Sequence, residues 1–253
     1  MKIQIKKINH IAKLTLANPE KRNILDLEMS RNLKAAVEQV CDDSGIKAIL
    51  LTSEGSAFCG GGALDELLEA REQPELLHEI YSGFLAVAKC PIPTVGAIHG
   101  PAVGAGMNLA LACDIRIVTP NAKFDTRFTQ LGIHSGGGHT WLLQRYLNWE
   151  QSVSALIFGK SLQGAEAVDA GLALECVEEK ELEERCLSFC DSIRLIPREL
   201  IEETKKSLAL ASHNSDHDDM ISHEFSVQAA SLRSTYAGNT LNNLFSRIKK
   251  TLN

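Results

Sequence analysis

Two glycine-rich loops, each entered directly from a run of aliphatic residues, constrain this chain more than any other feature. Residues 46–52 read Ile-Lys-Ala-Ile-Leu-Leu-Thr and lead into Ser56-Ala57-Phe58-Cys59-Gly60-Gly61-Gly62-Ala63-Leu64. Residues 92–98 follow Cys90-Pro91 and lead into Gly100-Pro101-Ala102-Val103-Gly104-Ala105-Gly106-Met107-Asn108. Short apolar runs bounded by turn residues suit strands covered on both faces of a parallel sheet. Glycines just after such strands let the backbone approach a ligand and aim N–H groups at it. A helix opening behind the second loop adds free amides and the positive end of its dipole. Either loop alone can be a tight turn, but together they could form one hole for an anion.

The remaining periodicities fit this frame. Residues 2–8 and 10–17 alternate as two half-buried strands, and Asp26 is expected to cap an amphipathic helix over 27–42 that carries Leu27, Leu33, Val37 and Val40 at helical spacing. A helical stretch then reaches about Lys89, a helix covers 106–112, and a strand covers 114–118. Strands alternating with helices predict an α/β fold of stacked β-β-α units with largely parallel strands. Beyond residue 138 one short strand, 173–177, is expected among helical runs at 139–148, 150–158, 163–170, 179–193, 197–210 and 217–250. We therefore expect a core over 1–195 and a helical region over 196–253. The last run carries Ile221, Phe225, Leu241, Leu244, Phe245 and Ile248, a pattern suited to packing on the core or on another subunit, while residues 212–219 read as a polar linker.

Composition removes several classes. The 253 residues are 44% hydrophobic and 23% charged, which allows a sizeable core. The 26 basic residues are outnumbered by 32 acidic ones and form no basic block, so nucleic acid is not an expected partner. The longest apolar region, 95–118, is broken by His99, Pro101, Asn108, Asp114 and glycines, so no membrane span is expected. Residues 1–7 alternate as a strand would rather than as a targeting peptide, and the expected location is cytoplasmic. Seven cysteines without a C-x-x-C pair argue against a disulfide framework or a zinc site, and His213 and His217 read as part of a solvated turn. No metal is expected. A triphosphate-binding loop fails because Ser154 stands where Gly159-Lys160-Ser161 would need a preceding glycine, and a serine hydrolase fails for want of a G-x-S-x-G elbow.

Several segments in order carry a family resemblance. They are Asn18-Pro19-Glu20-Lys21-Arg22-Asn23, the loop from Ala57 to Leu67, Pro91-x-Pro93-x-Val95-Gly96-Ala97-Ile98-His99-Gly100, the stretch from Gly104 to Asp114, Leu131-Gly132-Ile133, and a closing Phe245-Ser246-Arg247-Ile248-Lys249-Lys250. The chain resembles the enoyl-CoA hydratase/isomerase family, the crotonase superfamily. The resemblance implies a crotonase-like spiral of β-β-α units with a C-terminal helical trimerisation region, hence a homotrimer or a dimer of trimers. It implies an acyl-CoA thioester as substrate, with coenzyme A part of that substrate and no other cofactor. It implies an oxyanion hole made by the N–H groups of Gly60 and Ala105. The CoA moiety would lie along Lys21, Arg22, Ile24, Phe58, Gly61, Gly62, Ala63 and Leu64. Phe245 and Lys249 or Lys250, from an adjacent subunit, would meet it too.

The departures from the family pattern carry as much information. The two glutamates that flank a water in the family's hydratases fall at Asn108 and Phe128, neither of which exchanges a proton at neutral pH. Ala63 stands for the family's aspartate, and Ser135-Gly136-Gly137-Gly138-His139 for its Pro-Gly-x-Gly-Gly. Isomerase, decarboxylase or C–C lyase chemistry is therefore expected ahead of hydration. The alternatives are a CoA-ester binding protein without catalysis and a hydrolase of CoA thioesters. His134 is the first candidate proton carrier, or else bonds the loop backbone. His139 is expected to cap the helix beginning near Thr140, Asp125 and Arg127 to form a structural ion bridge, and Glu66 to be structural. Asn108 either orients a water or carbonyl, or is a buried amide satisfied by backbone.

Overall fold

The computed structural model describes residues 2–214 and 216–251, with side chains as far as Lys249. The chain divides into two units, Met1–Arg194 and Leu195–Asn253. In the first, β1 (Ile3–Ile8) and β2 (Ile11–Leu16) pair antiparallel across a tight turn in which Asn9 takes a positive φ of 54°. Asp26 accepts the Met29 N–H at 2.7 Å and caps α1 (Leu27–Asp42), whose Met29, Leu33, Val37 and Val40 face inward. Strand β3 (Ala48–Ser53) follows. The first glycine loop opens into two helices rather than one, α2 (Leu64–Glu69) and α3 (Leu76–Ala88).

The wholly buried β4 (Thr94–Ile98) leads through β5 (Pro101–Val103) into α4 (Ala105–Ala112) and then β6 (Ile115–Val118) and β7 (Lys123–Asp125). Helices α5 (His139–Tyr146) and α6 (Trp149–Leu156), strand β8 (Leu162–Gln163), helix α7 (Gly164–Asp169), strand β9 (Glu175–Cys176) and helix α8 (Glu179–Asp191) complete the unit. The main sheet has six strands in the order β1-β2-β3-β4-β6-β9, parallel from β2 onward. A second sheet, β5-β7-β8, stands apart from it and holds the second glycine loop at its edge. Its strands are two or three residues long, too short for any periodicity to announce them.

The second unit is helical: α9 (Arg198–Ala211), α10 (His217–Leu232) and α11 (Thr235–Thr251). Two expectations change here. The run over 217–250 is two helices, because Ser234 Oγ accepts the Ala237 N–H at 3.1 Å and starts a new one. The polar stretch before it is no mere linker, since Asp216 accepts from the N–H groups of Asp218 and Asp219 and caps α10. Phe225, Leu241, Leu244, Phe245 and Ile248 are exposed. Among the described residues no helix is long and apolar enough to cross a membrane.

Candidate active site

The two glycine loops are fastened to one another by main-chain hydrogen bonds. Cys59 N donates to Pro101 O at 3.1 Å and Val103 N donates to Cys59 O at 3.0 Å, so residues 59 and 102 form a parallel bridge. The first turn of α4 presses against this bridge. A Cβ on Gly106 would stand 2.2 Å from the Cys59 carbonyl oxygen, so glycine alone permits the approach. On its other side the first loop is held by the chain after β2: Leu25 N donates to Gly61 O at 2.7 Å and Gly60 N to Arg22 O at 2.8 Å.

These bonds decide which amides are available. The Gly60 N–H, expected to face a ligand, is consumed by Arg22, whose left-handed backbone at φ 53° turns its carbonyl to meet it. The Gly61 N–H bonds the Cys59 sulfur, a fully buried thiol that burial pushes up to about 12. The Gly62 N–H has no acceptor among the described residues. Neither has the N–H of Ala105, the first residue of α4, which follows Gly104 at φ 52°. Among the described residues the expected donor at residue 105 thus stands free, and of the three glycine amides on the first loop the free one is Gly62 rather than Gly60. The offset was not visible in the sequence, because three consecutive glycines offer three indistinguishable amides.

Gly62, Ala105 and Asn108 line a single cavity of about 910 Å³. Leu67, Leu77, Ile80, Tyr81, Phe128 and Leu131 give it an apolar wall, and Arg22, Arg71, Lys123 and Arg127 bring cations to its lining. Among the expected contacts, Arg22, Ile24, Gly61 and Leu64 also line the cavity, while Lys21 does not. Phe58 is fully buried in the hydrophobic core and offers no surface to a ligand, and Ala63 is likewise buried outside the lining. Phe245 and Lys249 both lie on α11, with the Lys249 ammonium 5.8 Å from the Phe245 ring centroid. The side chain of Lys250 lies outside the described residues. Glu66 accepts the Leu27 N–H on both carboxylate oxygens, at 3.0 and 2.9 Å, and so holds the start of α1. Asp125 is paired with Arg127 and lies 3.7 Å from the Lys123 ammonium. The Arg127 guanidinium hydrogen bond and both cations hold its carboxyl below the usual range, against the opposing effect of burial.

A buried titratable group behind Asn108 is one that sequence reasoning placed elsewhere. His134 lines the cavity but is exposed, with its Nδ1 2.7 Å from the neighbouring Ser135 carbonyl. His139 does not cap α5, where Gly138 holds that position; its side chain turns inward and is 1% exposed. Its Nδ1 lies 2.6 Å from Asn108 Oδ1, and its ring meets that of Phe128 edge-on with centroids 5.0 Å apart. Asn108 in turn donates from Nδ2 to Gly136 O at 3.0 Å. Burial pushes the imidazole down to about 4, so it is neutral at physiological pH.

A sequence profile described as enoyl-CoA hydratase/isomerase matches residues 6–235. The chain belongs to the enoyl-CoA hydratase/isomerase family. It is 40% identical over 202 residues to a Mycobacterium tuberculosis protein named probable enoyl-CoA hydratase EchA14, covering 79% of this chain and 78% of that one. It is 32% identical over 185 residues to the 1,2-epoxyphenylacetyl-CoA isomerase of Escherichia coli, covering 69% and 71%. The crystal structure of an enoyl-CoA hydratase from Polaromonas sp. superposes with a TM-score of 0.89 at 25% identity, covering 97% of each chain. The α/β arrangement of glycine loops and parallel strands is thus the crotonase fold. The two positions where the resemblance places the hydratase glutamates, Asn108 and Phe128, both touch His139.

Proposed function

We propose that this protein is an enzyme that binds an acyl-CoA thioester and stabilises its enolate with the N–H groups of Gly62 and Ala105. What supports the reading is that two free amides, from loops bonded directly to each other, line one cavity with a largely apolar wall. Such donors strengthen as negative charge grows on the thioester oxygen, and removal of one typically lowers a rate by on the order of 10²–10³. Arg22 and Ile24 would border the CoA moiety, and Lys21, Phe245 and Lys249 would approach its nucleotide, the last two from a neighbouring subunit of a homotrimer or dimer of trimers. Coenzyme A enters as part of the substrate, with no further cofactor.

The preference among reactions rests on residues 108 and 128. Hydration needs an acid and a base flanking a water, and neither a carboxamide at 108 nor a phenyl ring at 128 supplies a proton. Isomerisation, decarboxylation or C–C bond chemistry through the same enolate remains open to the site. Calorimetry against a panel of CoA thioesters is expected to give dissociation constants in the micromolar range for at least one acyl group, and crotonyl-CoA hydration is expected to be negligible. Absence of binding across the panel would remove the thioester reading. Robust hydration would instead show that the proton chemistry does not depend on residues 108 and 128. The replacement of both glutamates also favours a second reading, a binding protein without turnover; binding with no mass change in any thioester selects it.

A further inference from the structure

We propose that His139 is a positioning residue that fixes the carboxamide of Asn108, so that an Asn108 N–H is held toward the thioester. The inference deepens the thioester reading and rests on it. Asn108 lines the cavity while His139 does not, so His139 acts through its neighbour. The Gly136 carbonyl can only accept, which sets Asn108 Nδ2 toward it at 3.0 Å and leaves Oδ1 facing His139. Oδ1 can only accept as well, so the proton of His139 sits on Nδ1, 2.6 Å away, and Nε2 carries a lone pair. That Nε2 is buried with no partner among the described residues, so Nδ1 is the ring nitrogen that carries the hydrogen bond there. Phe128 meets the imidazole edge-on and limits its rotation. With one Nδ2 hydrogen on Gly136, the second has no acceptor among the described residues. The carboxamide therefore adds a neutral donor that cannot flip. An aspartate or glutamate at residue 108 could not donate in this way when ionised.

The tautomer is read first, on the unliganded protein, by nitrogen NMR of the imidazole at pH 7. The neutral Nδ1–H form is expected, and the Nε2–H form overturns the proposal. Coupling is read next by calorimetry with acetoacetyl-CoA, a β-ketothioester that ionises to an enolate. His139→Leu should weaken binding about tenfold, the effect of one net hydrogen bond of about 1.4 kcal/mol. His139→Asn, whose side-chain N–H stands near the place of Nδ1–H, should recover most of the loss. In an Asn108→Ala background, His139→Leu should change affinity less than twofold, because there is no carboxamide left to orient. An equal tenfold loss in both backgrounds, in variants that melt as folded proteins, marks a purely structural histidine and overturns the inference. No loss in either background does the same. If the unmodified protein binds no thioester, the functional reading itself falls, an outcome separate from binding without coupling.

Discussion

Gly106→Ala is expected to abolish binding of CoA thioesters and to lower the unfolding free energy by about 3 kcal/mol, at the upper end of what overpacking usually costs. The added methyl would lie 2.2 Å from the Cys59 carbonyl oxygen and 2.8 Å from its Cβ. Main-chain atoms held by two hydrogen bonds to Pro101 and Val103 cannot yield as a flexible side chain would. Relief requires α4 to back away from the first loop, which moves the Ala105 N–H out of register with that of Gly62. Urea denaturation reads the stability and calorimetry the binding. Gly238→Ala supplies the control: on α11 a Cβ meets nothing within 4 Å, so that change should be neutral or stabilising by up to about 1 kcal/mol. Native affinity in the Gly106→Ala protein would mean the two amides do not act as a pair.

Acidification should destabilise the fold through His139. In the unfolded chain its imidazole takes up a proton near the ordinary value of 6.5, whereas burial delays this to about 4 in the folded state. Between those values the unfolded state binds more protons, so stability rises with pH through the window. The contribution is complete above pH 6.5 and is lost as the pH falls toward 4. Its size is about 3 kcal/mol, taking roughly 1.4 kcal/mol per pH unit. Chemical denaturation at a series of pH values, compared with His139→Leu, isolates it: the difference between the two proteins should narrow or reverse as the pH drops. Parallel profiles would show that residue 139 does not carry the effect.

The strands that lead toward the glycine loops, β3 and β4, were legible as apolar runs bounded by turn residues. Asp26 declared α1 by a single side chain, and the structure bears it out. What escaped were features settled by one bond. The second sheet is built from strands too short to show a period. The division between α10 and α11 depends on the hydroxyl of Ser234. Within the site, the free amide on the first loop was misplaced by two residues, because its identity follows from the direction of the Arg22 carbonyl, which no pattern of residue types encodes. The sequence suggests a cap at His139 and either a proton carrier or a backbone bond at His134, since both flank the same glycine run. Only the inward turn of residue 139 separates a buried imidazole from an exposed one. A signal was present nonetheless: a histidine where the family pattern carries a glycine must displace volume, and here it meets the altered residues 108 and 128.

Because Cys59 is zipped to the strand that carries the second loop, the spacing of the Gly62 and Ala105 amides is set by main-chain atoms and is indifferent to the side chains at those residues. The side chains at 108, 128 and 139 form a separate cluster, joined by one hydrogen bond and one ring contact. Substitutions confined to those three positions are therefore expected to change the chemistry of the cavity while the two amides stay where they are.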